Sequence, residues 1–280
     1  MDIRELAKLT RFEHALMLAF AVLIAETVVL GSLPPLSMVI ALSLLVPIFS
    51  EMGAFALNDY FDIETDRLNR KTERPLVKGT ISPAFALYFS IASIALSTIM
   101  AFAINVMAFG IALVFNLLAV AYNWKLKDIM LMGNIYIALT MAIPFIFGNF
   151  VVSENLSMLA VVLAVLGFVA GLAREIIKSV QDMEGDVKAR KSKTLPVVIG
   201  TKGSLVAAVL LYLLFIPLSI SPFFLGLSFS ALPVVLIAAA DLVILVLCYR
   251  ILISHAYGFA RNASLLAFGL GLLGLFLASV

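Results

Sequence analysis

Charged residues are scarce in this sequence, and cysteine, histidine and tryptophan are scarcer still. Asp, Glu, Lys and Arg make up 13% of the 280 residues, against roughly 25% in soluble domains. Together with a hydrophobic fraction of 63% and a mean hydropathy of +1.14, this deficit excludes an ordinary soluble domain and favours a membrane protein. The single cysteine, Cys248, excludes an intrachain disulfide, and its apolar surroundings in the sequence predict a buried, unreactive thiol.

Apolar runs long enough to cross a bilayer, about 20 residues each, recur along the whole sequence. The first run is too long for the apolar part of a signal peptide, so we expect it to remain as a helix. The runs predict an all-α, polytopic membrane protein with about nine transmembrane helices. These helices are expected near residues 12–32, 36–57, 83–103, 105–124, 131–151, 157–178, 203–221, 230–250 and 262–280.

The basic residues outside these runs are distributed unevenly between the two predicted sides of the membrane. They precede the first run and follow the second, fourth, sixth and eighth, whereas the other four connections contain no Lys or Arg. The positive-inside rule then places the N-terminus and both large polar segments in the cytoplasm. We therefore expect a multi-pass protein of the cell membrane with its functional loops on the cytoplasmic side.

The two large polar segments follow the second and the sixth predicted helix, four helices apart. An even number of helices between them places both segments on the same face of the membrane. This spacing predicts two similar four-helix halves and a ninth helix, all within a single domain that covers residues 1–280.

The first polar segment, "NDYFDIETDRLNRKTERPLVKG" at residues 58–79, mixes acidic and basic residues in an otherwise apolar chain. Asn58, Asp62 and Asp66 are spaced four residues apart. If the second helix continues past the membrane surface, their oxygens share one helix face.

The second polar segment, "REIIKSVQDMEGDVKARKSKTLP" at residues 174–196, repeats this spacing with Asp182 and Asp186. Arg174 and Lys178 extend the same stripe by two turns towards the membrane. Each half of the chain therefore presents a carboxylate pair with bases beside it, which is less typical of a solvated loop than one isolated pair would be.

Carboxylates that converge in one place repel each other unless a cation neutralises them. An oxygen-only donor set, without a His or Cys cluster, suits Mg²⁺, Ca²⁺ or Mn²⁺. Magnesium usually takes one or two carboxylates and completes its shell with water and phosphate oxygens. Two such half-sites facing one cavity are predicted to hold metal ions that bridge a diphosphate, with nearby bases on the remaining phosphate oxygens. The proposed metal-binding residues are Asn58, Asp62, Asp66, Asp182 and Asp186.

The motifs "NDYFDIETD" and "DMEGD" resemble the NDxxDxxxD and DxxxD motifs of the UbiA-type intramembrane prenyltransferases, and "NRKTERPLVKG" resembles that family's Arg-Pro loop. With nine predicted helices, the resemblance covers essentially the whole chain. It implies helices around a central cavity open to the cytoplasmic side, and Mg²⁺-dependent transfer of a prenyl group from a prenyl diphosphate.

Within this family, "REIIK", "DMEGD" and "KTLPVVIGTKGS" resemble the digeranylgeranylglyceryl phosphate synthase branch of archaeal lipid synthesis, which commonly has Asp where Ser179 stands here. This likeness implies geranylgeranyl transfer from geranylgeranyl diphosphate to the hydroxyl of geranylgeranylglyceryl phosphate, with formation of an ether bond. The expected partners are a prenyl diphosphate donor, a lipid-like phosphorylated acceptor and membrane lipids, without nucleic acid or an obligate protein partner.

The resemblance also suggests roles for individual side chains. Asp62, Asp66, Asp182, Asp186 and Lys127 are expected to be catalytic. Substrate binding is expected from Arg11, Arg67, Arg74, Tyr122, Asn123, Lys125, Arg174, Lys178 and Lys193. For the residues near the end of the fourth helix, anchoring at the membrane interface is the alternative.

Two other functions use the same features. An aromatic prenyltransferase of quinone or chlorophyll synthesis would share the donor site, and a divalent-cation transporter would share the carboxylates. The bases next to those carboxylates disfavour a cation pathway.

Overall fold

The computed structural model describes residues 2–190 and 193–280, with the side chains of residues 189 and 190 excluded. Across these residues the regular elements are helices, and none is a strand. The α-helices are α1 Ile3–Thr10, α2 Phe12–Leu30, α3 Met38–Phe61, α4 Ile63–Leu68, α5 Pro75–Lys78, α6 Pro83–Ile104, α7 Val106–Trp124, α8 Met132–Val152, α9 Met158–Arg190, α10 Leu195–Ser219, α11 Ser221–Phe224, α12 Ala231–Ser254 and α13 Tyr257–Ser279. One turn of 3₁₀-helix, Leu126–Asp128, lies between α7 and α8.

Nine of the helices in the described part of the chain are long and apolar enough to cross a membrane. They are α2, α3, α6, α7, α8, α9, α10 (with the short α11), α12 and α13. Each coincides with one of the nine apolar runs, so the predicted all-α class and the number of spans are confirmed.

The longest extensions beyond the apolar runs are those of α9 and α10. α9 continues past the predicted end near residue 178 to Arg190, because its charged residues reduce hydropathy without stopping a helix. α10 begins at Leu195 and is kinked at Gly200, whose φ of 79° and ψ of 161° are not helical. Glycine adopts this backbone without strain. Hydropathy alone therefore located the membrane spans but not the helical turns beyond them.

Asn105 separates α6 from α7, at the boundary predicted between the runs at 83–103 and 105–124. Its backbone is extended (φ −167°, ψ 172°), and its side-chain oxygen accepts a hydrogen bond of 2.8 Å from the backbone N–H of Ala108. This is the geometry of an N-cap, which satisfies one of the free N–H groups of a helix start.

The chain divides into two compact units. The first contains Met1–Phe20, Pro35–Gly133 and Asp182–Lys193, and the second contains Ala21–Pro34, Asn134–Gln181 and Thr194–Val280. The boundaries fall inside α2 and α9 and within the first turn of α8, so α2 and α9 are the helices that contribute substantially to both units. The pair of four-helix halves expected from the charge spacing stays a prediction.

In the first unit, α3 packs against α6 and α7, and α6 against α7. Gly53 allows the close approach of α3 to α6, because a Cβ there would lie 3.1 Å from the carbonyl oxygen of Ser90 and 3.2 Å from Cβ of Ser93. Asn116 of α7 adds polar contacts: it donates to Oγ1 of Thr98 at 2.8 Å and accepts from Ser50 at 2.5 Å. Small residues and interhelical hydrogen bonds of this kind hold transmembrane helices together.

In the second unit, α12 packs against α10 and α13. The same unit contains α8 and the larger part of α9, and Gly167 of α9 lies directly against the backbone carbonyl of Met141 in α8. Most of the long helix that ends in the second acidic motif is therefore supported by this unit.

The close packing at Gly53 leads to a first prediction. Gly53→Ala should destabilise the protein by about 1–3 kcal/mol, because the added methyl group overpacks the interface with α6. The measurement is the thermal unfolding midpoint of the purified protein in detergent.

Gly110→Ala in α7 is the matched control, since a Cβ there meets no atom of the described structure within 4 Å. This change should be neutral or stabilising by up to about 1 kcal/mol, because alanine is the better helix former. Equal unfolding midpoints for the two variants would contradict the packing argument.

Candidate active site

The first acidic motif lies where α3 ends and α4 begins. Asp62 closes α3 with φ −99° and ψ 7°, and α4 starts at Ile63. The helix is therefore interrupted at Asp62. The argument that Asn58, Asp62 and Asp66 share one helix face had assumed a continuous helix. Hydrogen bonds of the i to i−4 type nevertheless cross the break, from Asp62 N to Asn58 O at 2.9 Å and from Asp66 N to Asp62 O at 2.7 Å.

Asp62 is buried and held by two side chains. The ammonium group of Lys127 lies 2.6 Å from Oδ1, and the amide of Asn58 donates to Oδ2 at 3.0 Å. Asn58 also donates to the side-chain oxygen of Asn123 at 3.0 Å. Lys127 comes from the 3₁₀ turn after α7 and is only 7% exposed, so it lies inside the acidic cluster and not at the surface, and its catalytic role stays a prediction.

The two acidic motifs meet at Asp66 and Asp182, which both contact one lysine. Nζ of Lys71 lies 3.6 Å from Oδ1 of Asp66 and 3.2 Å from Oδ1 of Asp182. Arg74 lies on the other side of Asp66, with Nη1 at 2.7 Å from Oδ2. A single lysine therefore bridges carboxylates that are more than a hundred residues apart in the sequence, within the first unit.

Asp59 is an acidic member of this cluster that the sequence reasoning missed. Its side chain is 2% exposed, and Oδ1 accepts from Arg74 at 2.5 Å and from Arg11 at 3.1 Å. Arg11 adopts a left-handed backbone (φ 44°) between α1 and α2, and its guanidinium lies 4.1 Å from the centre of the Phe55 ring. The position of Asp59 directly after Asn58 in the motif was one available signal, but Asp59 does not share the four-residue spacing of Asn58, Asp62 and Asp66.

Burial changes the proton affinity of groups in this cluster. It raises the pKa of the Asp66 carboxyl above its usual range, although Arg74 and Lys71 act in the opposite direction. It also lowers the pKa of the Arg11 guanidinium, an effect that Arg74 reinforces and Asp59 opposes. Both shifts disfavour the charged form, as expected where charges leave water.

Gly185, inside the second motif, lies directly against the side chain of Asn69. A Cβ at Gly185 would overlap the Asn69 amide. Glycine therefore lets the loop after α4 approach α9 closely. Asp186 follows on α9 one turn after Asp182.

Comparison with known proteins identifies this arrangement. The model of the UbiA prenyltransferase family matches residues 15–256. The chain belongs to the UbiA prenyltransferase family. This confirms the resemblance noted in the two acidic motifs, and with the nine apolar helices it makes the chain a multi-pass membrane protein.

The relatives of this UbiA-family chain include two archaeal proteins named digeranylgeranylglyceryl phosphate synthase. That of Archaeoglobus fulgidus is 34% identical over 275 residues, covering 96% of this chain and 92% of the relative. That of Thermococcus kodakarensis is 35% identical over 267 residues, covering 95% and 93%.

Solved structures show the same fold. One, from work on digeranylgeranylglyceryl phosphate synthase in membranes, has a TM-score of 0.74 and 28% identity and covers 99% of this chain and 98% of its own. Another, a UbiA homologue from Archaeoglobus fulgidus bound to GPP and Mg²⁺, has a TM-score of 0.68 and 23% identity and covers 97% and 99%.

Other predicted site residues of this UbiA-family chain lie away from the carboxylates of the first unit or at their edge. Arg67 pairs with the exposed Glu64 at 2.8 Å. Lys125 is exposed at the end of α7, next to the half-buried Tyr122. Lys193 contributes a backbone hydrogen bond of 3.1 Å to the carbonyl of Asp128. Their roles in substrate binding stay predictions.

Arg174 and Lys178 belong to the second unit. Nε of Arg174 donates to Oγ of Ser264 at 3.2 Å, and Lys178 pairs with Glu175 at 3.0 Å. Ser179, which stands where the ether-lipid branch commonly has Asp, accepts from the amide of Asn134 at 2.6 Å. These contacts leave the predicted substrate-binding role of both bases open.

The buried carboxylate of Asp59 leads to a second prediction. Asp59→Asn should destabilise the protein by about 3 kcal/mol, because it leaves Arg11 without the carboxylate it contacts and removes one partner of Arg74. Thermal unfolding in detergent measures the effect.

Glu64→Gln is the control, because it removes a carboxylate from an ion pair whose Glu64 side chain is 80% exposed. Exposed pairs contribute little, so its unfolding midpoint should stay close to that of the unmodified protein. If both variants unfolded at the same temperature, Asp59 would not have the structural importance assigned to it.

Proposed function

We propose that this chain is a Mg²⁺-dependent prenyltransferase that transfers a geranylgeranyl group from geranylgeranyl diphosphate to geranylgeranylglyceryl phosphate. An ether bond forms and diphosphate leaves, as in archaeal-type membrane lipid synthesis. The observation that carries the proposal is the Lys71 bridge between Asp66 and Asp182, since it places both acidic motifs at one site. The named relatives at 34% and 35% identity over nearly the whole chain support the choice of acceptor.

The carboxylates of the first unit fit a divalent cation in their donor chemistry. Among the residues that the structure describes, no group of three Asp, Glu, His or Cys side chains is close enough to hold a metal ion, because basic side chains lie between the acids. Oδ2 of Asp66, however, is buried, and its contact with Nη1 of Arg74 at 2.7 Å is an ion pair without hydrogen-bond geometry. A hard cation would satisfy such an oxygen. Asn58, Asp62, Asp66, Asp182 and Asp186 are the residues that would hold Mg²⁺.

The bases of the cluster are placed to stabilise the leaving group. Breaking the allylic C–O bond of the donor transfers negative charge to the diphosphate, and fixed cations near that charge lower the barrier. Lys127 and Arg74 lie beside Asp62 and Asp66, and Lys71 lies between the two motifs. Mg²⁺, when bound, supplies further positive charge opposite the diphosphate.

The surrounding protein can exclude water from the reaction. An allylic cation reacts with any water it meets, so the donor carbon needs a dry environment. The cluster lies at the ends of α3 and α7, which are apolar along most of their length. The prenyl chains would extend among such helices, with the charged groups at the cytoplasmic face. That orientation, and a place in the cell membrane, follow from the positive-inside pattern of the sequence.

Chelation tests the metal. EDTA should abolish prenyl transfer by the purified protein, and added Mg²⁺ should restore it. Asp182→Asn should raise the Mg²⁺ concentration needed for half-maximal activity by about tenfold or more, because neutralising a charged ligand weakens metal affinity.

Glu184→Gln is the matched control for Asp182→Asn. Glu184 belongs to the same motif, but its side chain is 83% exposed and pairs only weakly with Lys188 at 3.8 Å. Its Mg²⁺ dependence should equal that of the unmodified protein. Full activity in metal-free buffer would refute the proposal of a metal-dependent enzyme.

A competition assay tests the acceptor. Labelled geranylgeranyl diphosphate is offered together with geranylgeranylglyceryl phosphate and a hydroxylated aromatic acid. The label is expected in the glyceryl ether product. Label found only in a prenylated aromatic product would instead assign the chain to quinone-type synthesis, although the chain would still be a prenyltransferase.

A further inference from the structure

A pocket in the second unit is lined largely by basic and other polar side chains, none of which belongs to the acidic cluster. The pocket is open to solvent, and the empty space in and around it is about 290 Å³. α9, α10 and α13 form its walls, and Ile177 and Ala260 give it an apolar part. Its polar side chains are Arg174, Lys178, Gln181, Tyr212, Tyr257 and Arg261.

The charges around this pocket do not balance. Arg174, Lys178 and Arg261 are basic, and one carboxylate is paired with them, that of Glu175 on Lys178 at 3.0 Å. Arg174 donates to the neutral hydroxyl of Ser264 at 3.2 Å. Neither arginine has a carboxylate partner among the residues that the structure describes. Two positive charges therefore remain uncompensated.

Tyr212 provides a second, independent observation. Its side chain lines the pocket and is 0% exposed. Its hydroxyl is buried and finds no hydrogen-bond partner in the described part of the chain. An unsatisfied buried hydroxyl is costly, so its position beside the pocket indicates that a ligand oxygen completes it.

We propose that this pocket binds the phosphomonoester group of a lipid-like ligand. A phosphomonoester carries close to two negative charges at neutral pH and three acceptor oxygens, which matches the two uncompensated charges and the free hydroxyl. The guanidinium groups would bind phosphate oxygens through paired N–H donors, and Tyr212 would donate its O–H. The acceptor proposed above carries such a group, and to that extent the assignment rests on the proposed function. An anionic membrane lipid with the same head group is the other source.

Direct binding tests the pocket without any catalysis. The purified full-length protein in detergent is titrated calorimetrically with a short-chain monoalkylglyceryl phosphate, and with the same ether lacking the phosphate. Arg261→Gln should weaken binding of the phosphorylated probe about tenfold, since it removes a charge-assisted contact. Tyr212→Phe should weaken it severalfold without lowering the thermal unfolding midpoint, because the lost hydroxyl has no partner within the protein.

Arg250→Gln is the control. Arg250 lies near the end of α12, close in sequence to Arg261, but its guanidinium lies over the ring of Phe259 at 5.4 Å and does not line the pocket. Arg250→Gln changes the net charge by the same amount as Arg261→Gln, and this variant should bind the probe as the unmodified protein does. If Arg261→Gln and Tyr212→Phe also bound the probe like the unmodified protein, the assignment would be overturned.

Two further measurements on Arg261→Gln identify the source of the phosphate group. A raised acceptor KM for Arg261→Gln, with an unchanged donor KM, assigns the pocket to the acceptor. The other measurement is the thermal stability in nanodiscs, where phosphatidic acid should stabilise the unmodified protein more than phosphatidylcholine does. If Arg261→Gln loses this stabilisation and keeps an unchanged acceptor KM, the pocket is assigned to a membrane lipid. If the protein prenylates no glyceryl phosphate at all, the proposed function fails, and the probe titration still decides whether the site exists.

Discussion

The burial of acidic side chains at the end of α3 is the constraint on which the active site depends. Asp59, Asp62 and Asp66 lie within eight residues of each other and are all buried. A buried carboxylate is tolerable only when it is paired, because losing its hydration costs several kcal/mol. The cationic partners of these three carboxylates come from three separate places: the start of the chain, the loop after α4 and the turn after α7. The acids therefore fix where these connections lie, and the connections in turn carry the bases that would bind a diphosphate under the proposed function.

Part of this organisation could be predicted from sequence. Apolar runs identify the nine spans because a bilayer imposes one length on each. Other features of the site could not be predicted from local sequence patterns. Asp59 was missed because it does not share the four-residue spacing of its neighbours, and because its partner Arg11 lies 48 residues away. Arg67, which pairs on the surface, was predicted to bind substrate, whereas Lys71, which connects the two motifs, was not among the predicted site residues. Spacing reports which residues share a helix face, but tertiary structure decides which base meets which acid.

The same reasoning explains why Lys127 and Lys125 differ although they are two residues apart. α7 ends at Trp124, and one turn of 3₁₀-helix directs Lys127 inward to Asp62 while Lys125 remains exposed. Both are lysines, and the sequence analysis gave both a functional role, Lys127 in catalysis and Lys125 in substrate binding. The choice depends on a single turn of backbone, and such short irregular segments carry little signal in hydropathy or periodicity.

The charge balance of the cluster gives a reason for metal dependence that does not rely on the motifs. In the ion pairs of the first unit, the carboxylates of Asp59, Asp62, Asp66 and Asp182 are matched by the side chains of Arg11, Lys71, Arg74 and Lys127. These bases are already engaged, so a prenyl diphosphate that arrived alone would add negative charge where four bases are already paired with four carboxylates. Added divalent cations remove this difficulty, because they take over the carboxylates and leave the lysines and arginines for phosphate oxygens. On this argument the acids act as exchangeable partners, held by bases in one situation and by metal in the other.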